Sequence, residues 1–269
     1  MRGSKELLAT QMERTAAWED NHHQIQFQEQ GATDTWDRVS ANYDWQSYWG
    51  NDNQANLAVL ASEIEGPFAG KRIIEVGCGS GFMSARLSIL GANVAILDKS
   101  EAAIDVACGA FVRLGLKAPE VFVEDALDNS VPSDLYDVVW NGGVIEHFFD
   151  DGKRLLIQEM LRMAKPGGKV VIMVPNAWCI PFRIGQFWQR LKGTWKYGYE
   201  DDMSPMRIKA MCHQLGLQSV QTYSFNKVVG VAWLPRYGYR IANALGWDTL
   251  ETHTKKSCLG FVTIAIIQK

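Results

Sequence analysis

From about residue 54 onward, apolar positions along the chain follow two spacings in turn. Short apolar runs near 71–76, 93–98, 120–124, 136–141, 168–174, 218–225 and 260–267 have the length and β-branched content of buried strands. Between them, the stretches near 54–65, 82–91, 100–114, 151–165 and 205–215 repeat apolar residues at helical spacing, with Gly91, Gly115 and Gly216 placed to stop three of these helices. Strand and helix in alternation predict a doubly wound α/β fold, a seven-stranded sheet with crossover helices on both faces. Two segments break the pattern. Residues 1–52 are polar, yet Trp36, Tyr43, Trp45, Tyr48 and Trp49 crowd their end, which is more large aromatic surface than a solvated tail carries. They are expected to form an N-terminal helical cap, leaving 53–269 as the main domain. Residues 176–204 follow the fifth strand as an insertion dense in Trp, Tyr and Phe, which covers something or is itself covered.

Composition narrows this picture in three ways. A net charge of −3 gives no general electrostatic reason to bind nucleic acid, so none is expected as a partner. The five cysteines are widely spaced with no Cys-x-x-Cys pair, so neither a disulfide framework nor a structural zinc site is expected, and a cytoplasmic location fits. The polar N-terminus lacks the apolar core of a signal peptide, and no apolar stretch is long enough to span a membrane.

The candidate chemistry gathers at the carboxyl ends of the strands, where open parallel sheets bind ligands. The first strand ends in Glu75-Val-Gly-Cys-Gly-Ser-Gly81, the second in Asp98, the third in Glu124-Asp125-Ala126 and the fourth in Asn141-Gly142-Gly143. A glycine turn admits close backbone approach to a ligand, but an acidic residue at its mouth argues against a bound phosphate. A nicotinamide-binding turn shares the strand, the turn and the downstream acid. Its spacing, however, is Gly-x-Gly-x-x-Gly, whereas this chain has Gly-x-Gly-x-Gly. Together with Gly142-Gly-Val-Ile-Glu-His147 and Lys165-Pro-Gly-Gly-Lys169, these ordered motifs resemble the class I S-adenosylmethionine-dependent methyltransferases. The resemblance implies strand order 3-2-1-4-5-7-6 with strand 7 antiparallel. It also implies that Asp98 takes the ribose hydroxyls, that Asp125 and the Ala126 amide take the adenine, and that backbone at Gly77 and Asn141 holds the methionine amino end. Glu75 would order the turn and balance positive charge. The full set of implied cofactor contacts is Glu75, Gly77, Cys78, Gly79, Gly81, Asp98, Lys99, Asp125, Ala126, Asn141 and Gly142, with S-adenosylhomocysteine as the product.

Methyl transfer is an in-line displacement, so the protein mainly positions a nucleophile about 3 Å from the methyl carbon and excludes water. His147 is the candidate base, because it follows the fourth strand at the rim and an unperturbed imidazole titrates near neutral pH. Glu146 beside it would orient a substrate or serve as base itself. The other four histidines, His253 included, are expected to be solvated. No cluster of ligating residues has metal-binding spacing, so no metal is expected, and no Gly-x-Ser-x-Gly elbow points to a hydrolase. In the resembling family the cap and the insertion build the acceptor pocket, which makes Trp36, Tyr43 and Trp49 candidates from the first and Trp178, Tyr197 and Tyr199 from the second. Their aromatic character points to a small aromatic or apolar metabolite, methylated on oxygen, nitrogen or carbon. Within 181–196, apolar Ile184, Phe187, Trp188, Leu191 and Trp195 recur at helical spacing among Arg183, Arg190, Lys192 and Lys196. That segment reads as lid core or as a helix lying on an anionic membrane surface. Its placement, with the Lys192-Gly-Thr run and Glu200, is similar to the lid of ubiquinone-biosynthesis O-methyltransferases. A nicotinamide oxidoreductase and a methyltransferase acting on RNA or protein stay open as alternatives, and the chain is compatible with a homodimer.

Overall fold

The computed structural model describes residues 35–40, 42–43, 50–247 and 249–269. After a helical turn at 35–40, the order is α1 (Asn51–Glu63), β1 (Arg72–Val76), α2 (Phe82–Ile89), β2 (Asn93–Leu97), α3 (Glu101–Arg113), β3 (Glu120–Phe122) and β4 (Tyr136–Gly142). A 3-10 turn (Ile145–His147) leads into α4 (Asp150–Met163), β5 (Ala164–Pro175), α5 (Ile180–Leu191), α6 (Pro205–Gln214) and β6 (Val220–Phe225). Three short helices, α7 (Lys227–Ala232), α8 (Gly238–Ala244) and α9 (Leu250–Thr254), precede β7 (Val262–Gln268).

The seven strands form one sheet in the order β3-β2-β1-β4-β5-β7-β6, with β7 antiparallel to both of its neighbours. This is the implied order. Along the inner strands, buried residues alternate between the two faces, as the two-residue period of a strand requires. Ile74, Val76, Val139 and Ile172 pack with Leu156, Ile157 and Met160 of α4 and Ile208 and Met211 of α6. Ile73, Ile96, Val138 and Val171 pack on the other face with Leu57 and Leu60 of α1, Leu87 of α2, and Ala107 and Phe111 of α3. Both layers are covered, which explains why the strands read as continuous apolar runs.

Two expectations need correction. The sequence reading assigns no helix between the sixth and seventh strands, whereas 226–261 holds α7, α8 and α9. These helices are five to seven residues long, too short to print a helical period. His253, expected to be solvated, is buried there and pairs through Nδ1 with Asn226 Oδ1 at 2.7 Å. Most of the expected cap, including Trp45, Tyr48 and Trp49, lies outside the described residues.

Candidate active site

The carboxyl ends of β1, β2 and β4 open into a cavity of about 440 Å³. The turn after β1 is pulled over the end of β2: Gly77 and Cys78 donate their N–H groups to the Leu97 carbonyl at 2.7 and 3.1 Å, and Gly79 N–H donates to Asp98 Oδ2 at 2.9 Å. Two glycines are required for different reasons. Gly79 has φ +48 and faces the cavity, where an added Cβ would sit 2.8 Å from the Tyr43 hydroxyl. Gly81, at φ +59, faces Ala107 of α3, whose Cβ a side chain would meet at 2.5 Å. Gly81 therefore seats a helix and does not line the cavity, which corrects its expected role as a cofactor contact.

Asp98 lines the cavity with both carboxylate oxygens engaged, Oδ2 by Gly79 and Oδ1 by the Ser100 N–H at 3.0 Å. Burial raises its pKa, and these backbone donors oppose the rise. Each oxygen keeps a lone pair for an incoming hydroxyl. Asp125 closes the same end, its Oδ2 lying 3.8 Å from Lys99 Nζ and its Oδ1 accepting from the Leu127 N–H at 2.8 Å. Ala126, Lys99 and Cys78 also line the cavity. Glu75, buried at the bottom of the turn, accepts a 2.5 Å bond from Ser84 Oγ. Desolvation pushes its pKa up to about 8 against that bond, a carboxyl that a nearby cation would return to its ionised form.

On the fourth strand, Trp140 and Gly142 face the cavity, and strand alternation turns the Asn141 side chain to the opposite face, where its Nδ2 donates to Met160 Sδ at 3.2 Å; the contact expected of Asn141 was from its backbone. The side chain missed by the sequence reading is Trp140, whose buried Nε1 has no hydrogen-bond partner among the described residues. The alternation that buries Asn141 was the available signal for it.

At the rim, His147 lines the cavity with its Nδ1 at 2.8 Å from the Tyr199 carbonyl and its ring 4.8 Å from that of Trp36, edge to face. A carbonyl only accepts, so Nδ1 carries the proton and Nε2 keeps its lone pair. Burial lowers the His147 pKa to about 4, partly offset by the bond to Tyr199, and the ring is neutral at pH 7. Glu146, expected in the chemistry, does not line the cavity; it is tucked beneath, 1% exposed, with Oε2 unpartnered among the described residues. Burial raises its pKa well above the carboxylate range. Glu200, half-buried, has a pKa raised to about 8 by burial and accepts from Gln186 Nε2 at 3.1 Å.

Glu146, His147 and Glu200 each offer one ligand atom within 4.8 Å of the others, a grouping in space that the spacing of the sequence did not reveal. Sequence spacing hid the trio, because Glu200 comes from the insertion. Oxygen and imidazole donors of this kind suit a divalent cation such as Mg²⁺, Mn²⁺ or Zn²⁺. The loop holding Glu200 is itself anchored: Asp201 pairs with the fully buried Lys153 and with Arg207, and its N–H donates to the Glu146 carbonyl at 2.9 Å.

The acceptor wall differs from its expected membership. Trp36 and Tyr43 line the cavity, joined by Asn53, Asn56, Phe148, Phe149, Pro175 and Phe261. The turn that carries Trp36 is tied to the main domain by Asp37 Oδ1, which accepts from Ser100 Oγ at 2.5 Å. Trp178, Tyr197 and Tyr199 do not line the cavity. Tyr199 instead packs its ring at 4.9 Å on Phe149 and lends its carbonyl to His147, Tyr197 packs on Trp195, and Trp178 is exposed. Trp49 lies outside the described residues.

A family model described as a methyltransferase domain matches residues 45–222. A ubiquinone biosynthesis O-methyltransferase from Bordetella bronchiseptica is 28% identical over 162 residues, 58% of this chain and 66% of that one, so the chain spans just under two thirds of that relative. Another of the same name, from Pasteurella multocida, is 23% identical over 68% of this chain and 80% of its own length. Among solved structures, a possible histamine N-methyltransferase from Thermotoga maritima aligns at TM-score 0.62 with 13% identity, covering 87% of this chain and 98% of its own. The N-methyltransferase NodS from Bradyrhizobium japonicum, solved with S-adenosylhomocysteine, aligns at 0.54 with 17% identity, over 88% of this chain and 98% of its own. The order of the strands, the glycine turn between Glu75 and Asp98 and the matched domain agree: the chain belongs to the methyltransferase-domain family and has the fold of the class I S-adenosylmethionine-dependent methyltransferases.

Proposed function

We propose that the chain methylates a hydroxyl oxygen of a small aromatic or apolar molecule, held beside His147 and facing the donor bound at Glu75, Gly77, Asp98 and Asp125. The observation that carries this reading is the fixed imidazole: Nδ1 is committed to the Tyr199 carbonyl, so Nε2 is the proton acceptor at the cavity rim. Burial keeps the ring neutral, so Nε2 is unprotonated at pH 7 and free to accept a proton as the acceptor oxygen bonds to the methyl carbon. Trp36, Tyr43, Phe149 and Phe261 supply a water-excluding wall for an apolar ring, and Asn53 and Asn56 give it polar points of attachment. The relatives named as ubiquinone biosynthesis O-methyltransferases support oxygen as the acceptor atom. In this reading, aromatic and polar residues of the cavity orient the acceptor, and His147 takes its proton.

The trio of Glu146, His147 and Glu200 favours a second reading, in which these residues hold a divalent cation and the acceptor oxygen is ionised by coordination. One assay separates the two. Transfer of labelled methyl to a panel of phenols and catechols is measured for the purified protein, then for His147→Ala and after chelation. The first reading predicts turnover that survives chelation and falls about 10²-fold or more in His147→Ala, with donor affinity unchanged. Loss on chelation with recovery on adding Mg²⁺ or Zn²⁺ supports the second. Turnover unchanged in His147→Ala overturns both.

A further inference from the structure

The helical turn that brings Trp36 to the rim is fastened to the donor half of the cavity, and Ser100 is the joint. The Ser100 N–H donates to Asp98 Oδ1 at 3.0 Å, and its hydroxyl donates to Asp37 Oδ1 at 2.5 Å while accepting from the Ala103 N–H at 3.1 Å. A hydroxyl has one proton, so giving it to Asp37 leaves the lone pairs for Ala103 and holds the side chain in one rotamer. Ser100 is buried, which keeps water from competing for these bonds. The far end of the segment lies over the glycine turn: the Tyr43 hydroxyl is 2.8 Å from where a Gly79 Cβ would sit, and the Gly79 N–H is the other donor to Asp98. Tyr43 is bound back to the turn through its N–H, which donates to the Ser40 carbonyl at 3.1 Å. Ser40 itself is 2% exposed and lines the cavity with an Oγ that has no partner among the described residues. A buried hydroxyl left unpaired is a group that a ligand satisfies.

We propose that Asp37 is a positioning residue for methyl transfer: its bond to Ser100 seats Trp36 against His147, so that a donor held at Asp98 also sets the base. This rests on the reading of His147 as the base and of Asp98 as a donor contact. The bond from Nδ1 to the Tyr199 carbonyl fixes one point of the imidazole and leaves the ring free to swing about it. The Trp36 ring, 4.8 Å away and at 77° to the imidazole, supplies the contact that fixes its plane. A donor on Asp98 orders the carboxylate that holds the Ser100 N–H, while Ser40 and Tyr43 meet the same donor from the other side of the cavity. Donor binding therefore tightens the turn, and by reciprocity a seated turn tightens the donor. The acceptor wall that Trp36 and Tyr43 form is complete once the donor is in place, which makes the order of binding donor first.

Hydrogen exchange, and carbethoxylation of His147 by diethyl pyrocarbonate, test this on the full chain, both read by mass spectrometry in the parent, Asp37→Ala and Asp37→Asn. In the parent, S-adenosylhomocysteine should slow exchange at 77–81 and also at 35–40. In Asp37→Ala it should still slow 77–81 but no longer 35–40, and under saturating S-adenosylhomocysteine His147 should react roughly tenfold faster than in the parent. Asp37→Asn keeps an oxygen for the Ser100 hydroxyl and should return both readings to near the parent. Trp36→Ala should speed the reaction of His147 by the same factor as Asp37→Ala, and combining the two should add nothing, because they act along one path. Parent-like exchange across β1 and β4 in every variant shows that the sheet is folded. Exchange at 35–40 and His147 reactivity that Asp37→Ala leaves at parent levels overturn the proposal, as do additive effects of Asp37→Ala and Trp36→Ala. No protection of 77–81 in the parent overturns the donor site, and this proposal with it. His147 reactivity is read without an acceptor, so it stands apart from turnover in His147→Ala, which tests the base itself.

Discussion

The donor end of the cavity and the acceptor end are built by different means. At the donor end, nearly every contact joins residues close in sequence or on adjacent parallel strands: Gly79 to Asp98, Ser84 to Glu75, Ser100 to Asp98. At the acceptor end, His147 depends on Tyr199 and Trp36, and the wall draws on residues as distant as Tyr43 and Phe261. The difference teaches that a backbone-built site can be read as a motif, whereas a site assembled from side chains on separate insertions cannot. It also predicts that the two ends fail separately.

The largest separation is expected at the acceptor end. His147→Ala should lower methyl transfer by about 10² to 10⁴-fold while leaving affinity for S-adenosylhomocysteine within about twofold, measured by turnover and calorimetry on the same preparation.

A comparable energy protects the loop that carries the His147 partner. Lys153 is fully buried and leans on Asp201, so Asp201→Ala leaves a buried ammonium whose one remaining ion-pair partner among the described residues is Asp150, 3.8 Å away and exposed. It should destabilise the fold by about 3 kcal/mol in denaturant titration. Lys153→Met, which removes the charge along with its need, should cost clearly less.

A smaller effect should appear at the glycine turn. Gly77 has φ +69, and a Cβ there would lie 2.6 Å from a Val144 methyl. Gly77→Ala should weaken the donor by about 1–3 kcal/mol, roughly 5- to 150-fold, with little change in the acceptor's KM.

The smallest effect is a proton. Glu75 has a pKa raised to about 8 by burial, so it is largely protonated in the free protein at pH 7. Its folded pKa lies above its unfolded value, so it adds stability below about pH 4.5, and that contribution is lost as pH rises toward 8. A donor amino cation beside it favours the ionised form. Binding at pH 7 should therefore release close to one proton, seen as a dependence of calorimetric heat on buffer ionisation enthalpy, and Glu75→Gln should abolish that release.

The same contrast sets how much the sequence disclosed. Strand runs, helix stops and the order of the motifs were legible because burial on both faces of a parallel sheet writes itself as uninterrupted apolar residues. Glu75, Asp98 and Asp125 were legible because strand ends deliver them to one edge. Trp140 went unnamed, since strand alternation decides which side chains face the cavity, whereas Asn141 was named for its backbone and Gly142 lines the cavity as a motif residue. Gly81 follows the motif yet serves α3 packing, and motif spacing does not distinguish close approach to a ligand from close approach to a helix. Glu200 joins Glu146 and His147 across more than fifty residues through a loop fixed by Lys153 and Arg207, a closure that no local period records. The helices of 226–261 were hidden for the related reason that five to seven residues are too few to show a period.

The central claim, that the donor is held by the β1–β2 strand ends and the acceptor chemistry by the His147 rim, is tested most directly by titrating S-adenosylhomocysteine into the parent protein, Asp98→Ala and His147→Ala. The account predicts loss of roughly 100-fold or more in affinity for Asp98→Ala, which removes both carboxylate oxygens proposed to take the ribose hydroxyls, and parent-like affinity for His147→Ala. Retained affinity in Asp98→Ala, or an equal loss in His147→Ala, would contradict it.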